Sequence, residues 1–463
     1  MILLVLSIVG AVLFLYLKHQ HNKLKPVFEK ASNIPGPATC PLLGNALQFG
    51  RNNKDFFEYL LWVTREHGPI ARVWIGPILA VILADAKYVE IIMGSNKHID
   101  KSGLYKFGDD WLGQGLILSN GSRWKKHRKI ITPAFHVKVL ETFIDVFNRN
   151  TKILNQKLEK NVNGPDFDIF PYCNLAALDI ICVNKMGSVM FVRAFNPLLH
   201  PKFIFNLSSL GKIQKKCLKV LHGMTNSVIR TRKKQKKQKY AFLDLLIQTQ
   251  RDGEILSDEE VREEVDNLLL AGHDTTTSTL SFTCWLLAKH PDIQEKVMTE
   301  IEEIFGDSNR DPTFRDLQEM KYMEMVIKET LRLFPSVPIF GRILTEDVPM
   351  DEFILPAGTN IGFNPYMMHR DPKYFPDPEK FDPDRFLPEN CVNRHPYCYI
   401  PFSAGPRICL GMKFGMMELK AMLTGILRKY KLLPPDPSHK LDLTMVLIIK
   451  SLTGIPVRLE YRT

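Results

Sequence analysis

The sequence of 463 residues predicts a mainly α fold with small β-sheets (α+β), in one large domain behind an N-terminal membrane anchor helix. Three observations predict it. The first seventeen residues are almost wholly apolar, one short stretch has the pattern of a β-hairpin, and most of the remainder has helical periodicity. No segment of 20–50 residues repeats, which argues against a solenoid.

The apolar N-terminal stretch, Met1–Leu17, predicts an uncleaved anchor. Seventeen helical residues reach about 26 Å, close to the ~27 Å hydrocarbon core of the endoplasmic reticulum bilayer. Lysines follow this stretch and no charge precedes it, so the positive-inside rule places the following domain in the cytosol. A cleaved signal peptide is the alternative, but the charged residues that normally begin one are missing.

A polar linker and a proline-rich hinge follow at residues 18–37, and the large domain is predicted to span residues 38–463. The hinge ends in IPGP, Ile34–Pro37, whose prolines stiffen the chain and prevent a helix from continuing. Early in the domain, Arg72–Asp85 (RVWIGPILAVILAD) predicts a β-hairpin with Gly76 and Pro77 at its turn.

The longest helical pattern is Leu256–Pro291, where Ser257 and Glu260 form a capping box at the start and Pro291 ends the pattern. Its middle, Ala271–Thr276 (AGHDTT), places a carboxylate and hydroxyls where they compete for backbone hydrogen bonds. A local rule broken inside a core helix indicates a functional site. The alternative is a kinked core helix whose polar groups are all satisfied.

The most informative segment is PFSAGPRICLG, in which Phe402, Gly405, Arg407, Cys409 and Gly411 have the spacing F-x-x-G-x-R-x-C-x-G. The glycines permit tight turns and close approach to a flat macrocycle, and the arginine offers fixed donors for a carboxylate. A helical pattern follows the cysteine, and a helix N-terminus favours thiolate over thiol. The segment therefore indicates a ligand loop for iron. The alternative is a buried structural cysteine.

This segment resembles the haem-ligand loop of the cytochrome P450 monooxygenases, and other motifs of that family occur in the same order along the chain. The resemblance implies the cytochrome P450 fold, with Cys409 as the axial thiolate of haem iron and Phe402 and Arg407 as cofactor-binding residues. Such a thiolate favours O–O cleavage. Asp274 and Thr275 would then deliver protons to oxygen.

Two further motifs acquire meaning from the resemblance. Glu329 and Arg332 (ETLR) lie one helical turn apart, which means little for an exposed pair. In the family this pair is buried and joined by a downstream arginine, here Arg385 of PDRF, so that it locks the cysteine loop. Trp124 and Arg128 share a helix face and are expected to address a haem propionate.

Partners are predicted from charge. Lysine plus arginine total 61 against 50 acidic residues, which suits anionic membrane lipid or acidic proteins. No nucleic-acid module occurs, so nucleic acid is not expected. Lys125, Lys126 and Lys129 would dock an acidic reductase or form a solvated face. The basic run Arg230–Tyr240 is a solvated segment or contacts anionic lipid. Eight scattered cysteines without C-x-x-C argue against a disulfide scaffold or zinc ribbon.

The phrasing WLGQGLILSNG, TPAFH and EVDNLLLAGHDTT is most similar to family 4 of these enzymes, particularly its insect members. That resemblance implies microsomal NADPH- and oxygen-dependent hydroxylation of fatty-acid-like or other lipophilic substrates. Electrons would come from a membrane-bound flavoprotein reductase, with cytochrome b5 as a second partner. The expected location is the endoplasmic reticulum membrane, with the catalytic domain facing the cytosol.

The chain departs from family 4 in two places. Ala271 stands where many members carry a glutamate that esterifies haem, so haem b is predicted to be held non-covalently. The segment Met186–Gly211, where helices normally roof the substrate pocket, is several dozen residues shorter than the family would have. Either the pocket is unusually open, or the chain is a splice or gene-model variant. A haem- or lipid-binding protein without turnover is therefore the alternative function.

Overall fold

The computed structural model describes residues 22, 24–50, 52–174, 177–234, 242–251 and 256–462. The predicted anchor lies outside these residues, and so do residues 235–240 of the basic run. Within the described part of the chain, no helix is both long and apolar enough to cross a membrane.

Helices dominate the architecture, as predicted. The longer ones are Asn53–His67, Ile144–Leu158, Ala177–Phe195, Ser209–Lys234, Asp258–Lys289, Pro291–Phe305, Lys321–Leu333 and Met412–Lys429. The shorter ones are Ala86–Met93, Asp109–Leu112, Gly121–Ile131, Val137–Glu141, Phe170–Cys173, Lys202–Leu207, Phe242–Arg251, Phe314–Glu319, Pro365–Met368 and Pro388–Cys391. Helix Asp258–Lys289, the central helix, packs against both Ser209–Lys234 and Met412–Lys429 and organises the core.

The central helix begins as the sequence predicts. Ser257 and Glu260 form the expected capping box, in which each side chain accepts a hydrogen bond from the other residue's backbone N–H. Pro291 separates this helix from the next one, of which it is the first residue. The threonine hydroxyls in the middle of this helix are satisfied, because they donate to carbonyls four residues earlier within one continuous helix.

Small sheets complete the fold. The strands are β1 (Ile70–Ile75), β2 (Ile78–Leu83), β3 (Phe167–Asp168), β4 (Phe340–Ile343), β5 (Val348–Met350), β6 (Phe353–Leu355), β7 (Asn360–Phe363), β8 (Tyr430–Leu433), β9 (Leu443–Met445), β10 (Ile449–Ser451) and β11 (Pro456–Tyr461). The largest sheet has the order β1-β2-β7-β4, and the others are β3-β11-β8, β5-β6 and β9-β10. The predicted hairpin is β1–β2, and Gly76 at its turn has φ +57°.

The segment that the sequence predicts to be shortened folds into a compact connection. Helix Ala177–Phe195 leads through a single 3₁₀ turn, Pro197–Leu199, and helix Lys202–Leu207 into helix Ser209–Lys234. Phe205 is fully buried, and the Arg193 guanidinium lies 3.9 Å from its ring centroid. Helices Ala177–Phe195 and Ser209–Lys234, which we call the roof helices, pack directly on each other.

Candidate functional site

The cysteine loop, residues 401–411, is a tight turn between the core and helix Met412–Lys429. The Cys409 backbone N–H donates to the Phe402 carbonyl at 2.8 Å, which closes the loop. Gly405 has φ +65°, and a Cβ there would lie 1.9 Å from the Met93 carbonyl oxygen. Only glycine permits this approach, so the glycine of the motif fastens the loop to helix Ala86–Met93.

The Cys409 side chain is accessible to solvent, although dense protein surrounds it. Burial raises the pKa of its thiol, while the backbone N–H groups of Gly411 and Met412 and the charges of Arg128 and Lys101 act in the opposite direction. The backbone N–H groups at the start of helix Met412–Lys429 thus favour thiolate, as expected, and desolvation of the anion opposes them.

Arg407 is buried and fully bonded to protein. Its guanidinium donates to the carbonyls of Ile99 (2.9 Å) and Ser119 (2.5 Å) and lies 4.2 Å from the centroid of the Trp124 ring. Burial and the positive charge of Arg342 lower the pKa of Arg407 to about 9. The sequence predicts Arg407 as a donor to a carboxylate. In the structure it also ties the cysteine loop to residues 99–119.

Trp124 and Arg128 lie on one face of helix Gly121–Ile131, as predicted, and that face meets the cysteine loop. Trp124 is buried beneath Arg407, and Arg128 Nη1 donates to the Ile408 carbonyl at 3.0 Å. Phe402 is half-buried against the largest apolar cluster. The four predicted residues around Cys409 are thus assembled in one place.

Two more cations belong to this cluster and were missed from the sequence. Burial and the charges of Arg342 and Arg407 hold the pKa of Lys101 well below its usual range, and Cys409 acts against them. Burial also lowers the pKa of Arg342 to about 10. Neither residue lies in a motif. Lys101 precedes a 3₁₀ turn, and Arg342 is on β4. Only the close approach of β4 to the 99–119 segment reveals them.

The E-x-x-R pair is buried, as the resemblance implied. Arg332 donates to both oxygens of Glu329, at 2.7 and 2.8 Å, and neither side chain is exposed. Arg385 lies 3.5 Å from Glu329 Oε1. These residues therefore form one network.

The network reaches the cysteine loop through His369, another residue that the sequence did not single out. Arg332 donates to the His369 carbonyl at 3.0 Å, and the Ile400 N–H donates to His369 Nε2 at 2.9 Å. Burial and the charge of Arg332 lower the pKa of His369 to about 3, so the imidazole is neutral and Nε2 can accept. A chain of direct contacts thus joins Glu329 to the residue preceding Pro401.

On the central helix, Asp274 and Thr275 differ in environment. Asp274 is buried, with Lys450 Nζ 3.9 Å from Oδ2 and His273 Nδ1 3.4 Å from Oδ1. The Thr275 hydroxyl donates to the Ala271 carbonyl at 2.7 Å. Gly272 is exposed, and a Cβ there would meet nothing within 4 Å, so open space faces the helix at this turn.

Glu418, on helix Met412–Lys429, is a further titratable group near this turn. Its carboxyl forms a hydrogen bond with the Thr276 side chain and feels the charge of His273. Burial raises the pKa of Glu418 to about 7. No motif marks it, because its significance depends on how this helix packs against the central helix.

The residues present fit a flat, anionic, iron-bearing macrocycle. Open space lies beside Gly272 on the central helix and Gly415 after the cysteine loop. Lys101, Arg128, Arg342 and Arg407 concentrate positive charge beside a cysteine. A helical fold with this loop, this buried E-x-x-R pair and this polar turn in its central helix is typical of haem-thiolate oxygenases.

Comparison with known proteins places the chain within that class. The family model described as Cytochrome P450 matches residues 34–196 and 182–455, so the chain belongs to the cytochrome P450 family. Cytochrome P450 4V2 of Mus musculus is 42% identical, covering 94% of this chain and 91% of the relative. Cytochrome P450 4c3 of Drosophila melanogaster is 40% identical, covering 96% and 91%. Cytochrome P450 4c21 of Blattella germanica is 38% identical, covering 91% of each.

The predicted family, with its similarity to family 4, is therefore confirmed. The chain is a monooxygenase, an oxidoreductase of a family whose haem iron is bound by a cysteine thiolate. The family match comes in two pieces that overlap at residues 182–196, within the stretch where the segment predicted to be shortened begins.

Proposed function

We propose that the chain is a membrane-anchored haem-thiolate monooxygenase that inserts one oxygen atom from O₂ into a lipophilic substrate. The substrate class is fatty-acid-like, hormone or xenobiotic, and NADPH supplies electrons through a flavoprotein reductase. The observation that carries the proposal is the concentration of Lys101, Arg128, Arg342 and Arg407 beside Cys409. Family membership favours turnover over the alternative of a haem- or lipid-binding protein.

Cys409 would bind the iron of haem b, and the surrounding cations would hold its propionates. A thiolate-bound haem supplies the chemistry of dioxygen activation. Trp124 supports Arg407, Arg128 holds the backbone at Ile408, and Phe402 closes the turn. Since thiol burial disfavours the anion, the positive charge of the nearby cations stabilises the thiolate that metal binding requires.

Haem would be held without a covalent bond, because Ala271 has no carboxylate with which to form an ester. Acid–solvent extraction tests this point. All haem should pass into the organic phase, and haem that stays with the polypeptide would contradict the proposal.

Asp274 and Thr275 would supply protons at the central helix. Rotation about χ1 of Thr275 would break the hydrogen bond from its hydroxyl to the Ala271 carbonyl and direct the hydroxyl away from the helix backbone. Asp274 is buried beside Lys450 and can pass a proton between His273 and Thr275. Both side chains stay on a rigid helix, which keeps proton transfer at a fixed place.

The region above the central helix supports a lipophilic substrate. Its side chains form an apolar cluster that reaches Leu270, one residue before Ala271. Its members are Tyr105, Trp111, Leu112, Ile117, Leu118, Cys182, Val183, Met186, Met190, Ile213, Cys217, Leu218, Leu221, Leu270 and Leu447. Such a lining favours the burial of hydrocarbon and offers few hydrogen-bond or ion-pair partners to a charged substrate.

The endoplasmic reticulum membrane, with the domain facing the cytosol, is the proposed location. Besides the predicted anchor, an exposed apolar surface supports it: Phe203 is 75% exposed and Leu207 67%. Pro197, which precedes them, lies against Gly76, next to the exposed Leu42. Binding to phosphatidylcholine vesicles should weaken in the F203D/L207D double variant. Equal binding by both proteins would contradict a role for this surface.

The reductase would dock on the exposed face of helix Gly121–Ile131, where Lys125, Lys126 and Lys129 all face solvent. Cytochrome b5, also acidic, would use the same charges. Charge reversal at these lysines should raise the KM for reductase, with less effect at high salt because salt screens the attraction. An unchanged KM would contradict this docking face.

The decisive experiment is the absorption spectrum of the reduced, carbon-monoxide-bound protein. A strongly red-shifted Soret band requires a thiolate ligand, and the C409A variant should lose both this band and all monooxygenase activity. C40A is the matched control, because Cys40 is also exposed but is distant in sequence from Cys409, and this variant should keep both the band and the activity. A red-shifted band that survives in C409A would refute the assignment.

A further inference from the structure

Two thiols meet between the roof helices. Cys182 lies on helix Ala177–Phe195 and Cys217 on helix Ser209–Lys234, and their side chains are in hydrogen-bond contact. Cys217 is 4% exposed, whereas Cys182 is half-buried. Cys182 is therefore the more accessible cysteine of the pair, and Cys217 is shielded.

A second cysteine pair shows why reachability matters. Cys173 and Cys284 are also neighbours, but both are buried in the main core, and burial raises the pKa of both thiols. Buried thiols of this kind are inert, because reactivity requires both thiolate and access. Of the two pairs, only Cys182 and Cys217 combine contact with an accessible sulfur.

The position of the accessible pair connects it to the site. Both cysteines belong to the apolar cluster that includes Met186 of the shortened segment and Leu270 of the central helix. Burial raises the pKa of the Cys217 thiol to about 11. The charge of Lys185, one turn after Cys182, acts in the opposite direction. A bond between the two sulfurs would fasten the roof helices to each other above the residues that precede Ala271.

We propose that Cys182 and Cys217 form an oxidation site, in which a disulfide joins the roof helices and restricts ligand entry. Formation of the bond is a property of the chain itself, and its effect on ligand entry rests on the proposed function. In a reducing cytosol the pair stays as two thiols, and an oxidising shift in the glutathione pool closes it.

The step balances with glutathione disulfide as the oxidant. The Cys182 thiolate attacks one sulfur of glutathione disulfide, forming a mixed disulfide and releasing one glutathione thiolate. The Cys217 thiolate then attacks the Cys182 sulfur and releases the second glutathione. The two cysteines lose two protons and two electrons, and glutathione disulfide takes up both to become two thiols.

The test uses the full, haem-loaded chain treated with glutathione disulfide. The expected result is one non-reduced peptide that links Cys182 to Cys217 and is lighter by two hydrogen atoms than the two reduced peptides together. C182S and C217S should lose this link, and C217S should accumulate a glutathione adduct on Cys182. C173S is the matched control and should form the link normally. A stable adduct on Cys182 in the unsubstituted protein, or no link between Cys182 and Cys217, would refute the site.

A second readout measures ligand entry through the shift of the Soret band on adding dodecanoic acid. Oxidised protein should bind it about fivefold more weakly, within the usual range of coupling between sites, and reduction should restore binding. An unchanged affinity after complete bond formation would overturn the restriction on entry. Absence of any shift in the reduced protein would instead count against the proposed function, while the mass measurement still decides the disulfide.

Discussion

The two sides of the site are stabilised by different interactions. Beneath the cysteine loop, buried charges and backbone groups form a connected network from Glu329 through His369 to Ile400. Above the central helix, the interior of the roof is an apolar cluster, with Met186 and Leu270 among its members. The lower side fixes individual atoms, whereas the upper side fixes mainly a volume.

The difference bears on which side of the site tolerates change. Hydrogen bonds and ion pairs depend on direction, so the loss of one partner leaves a buried group unsatisfied at high cost. Apolar packing tolerates changes as long as volume is conserved. The roof buries Met186 and Phe205, so the segment predicted to be shortened keeps a packed interior.

The largest effect should come from breaking the lower network. R332A leaves the buried Glu329 carboxylate without its bidentate partner, and we expect the free energy of unfolding to fall by about 3–5 kcal/mol, with loss of haem. Urea unfolding and haem content measure it. R315A breaks an exposed Arg–Glu pair at i, i+4 and should leave the free energy of unfolding nearly unchanged. Equal losses for both variants would remove the contrast between buried and exposed pairs.

The next largest effect concerns the turn between the two sides. T275V removes the hydroxyl while conserving volume, and product formation should fall by about a hundredfold, in the range of a lost proton donor. Haem binding and the Soret band should stay unchanged. T283V removes another hydroxyl bonded to a carbonyl one turn earlier, in the buried part of the same helix, and should keep its activity. A normal rate for T275V would exclude Thr275 from proton delivery.

A cavity in the roof should have a moderate effect of a different kind. M186A removes a fully buried side chain, which should lower the free energy of unfolding by about 2–4 kcal/mol without changing the thiolate Soret band. Ligand affinity should change, because the cavity adjoins Leu270. L207A, at an exposed position, should change neither property. Loss of the thiolate band in M186A would mean that the two sides are not independent.

The smallest effect is a pH dependence at Glu418. Folding raises the pKa of this carboxyl from about 4.5 to about 7, so the folded protein holds the proton more tightly than the unfolded chain. Its contribution to stability is complete below about pH 4.5 and is lost as the pH rises through about 7. E418Q should flatten this part of the profile of unfolding free energy against pH, whereas E66Q, at an exposed site, should not. An identical slope in E418Q would contradict the shift.

Much of the fold and of the lower site could be predicted because their signals are local. The capping box at Ser257, the turn at Gly76 and the spacing around Cys409 each lie within about one turn or loop. Lys101, Arg342, His369 and Glu418 were missed for the opposite reason. Each becomes important only through a neighbour far away in the sequence, as when His369 accepts from Ile400.

The sequence by itself determined the family, the helical class and the iron-binding motif, since these depend on residue types at fixed short spacings. Only the tertiary structure decided which charges gather beside Cys409, which thiols meet in the roof and how desolvation opposes the helix N-terminus at Cys409. These depend on desolvation and on contacts between distant segments. Both arise when helices pack, and neither is encoded in the spacing of a single motif.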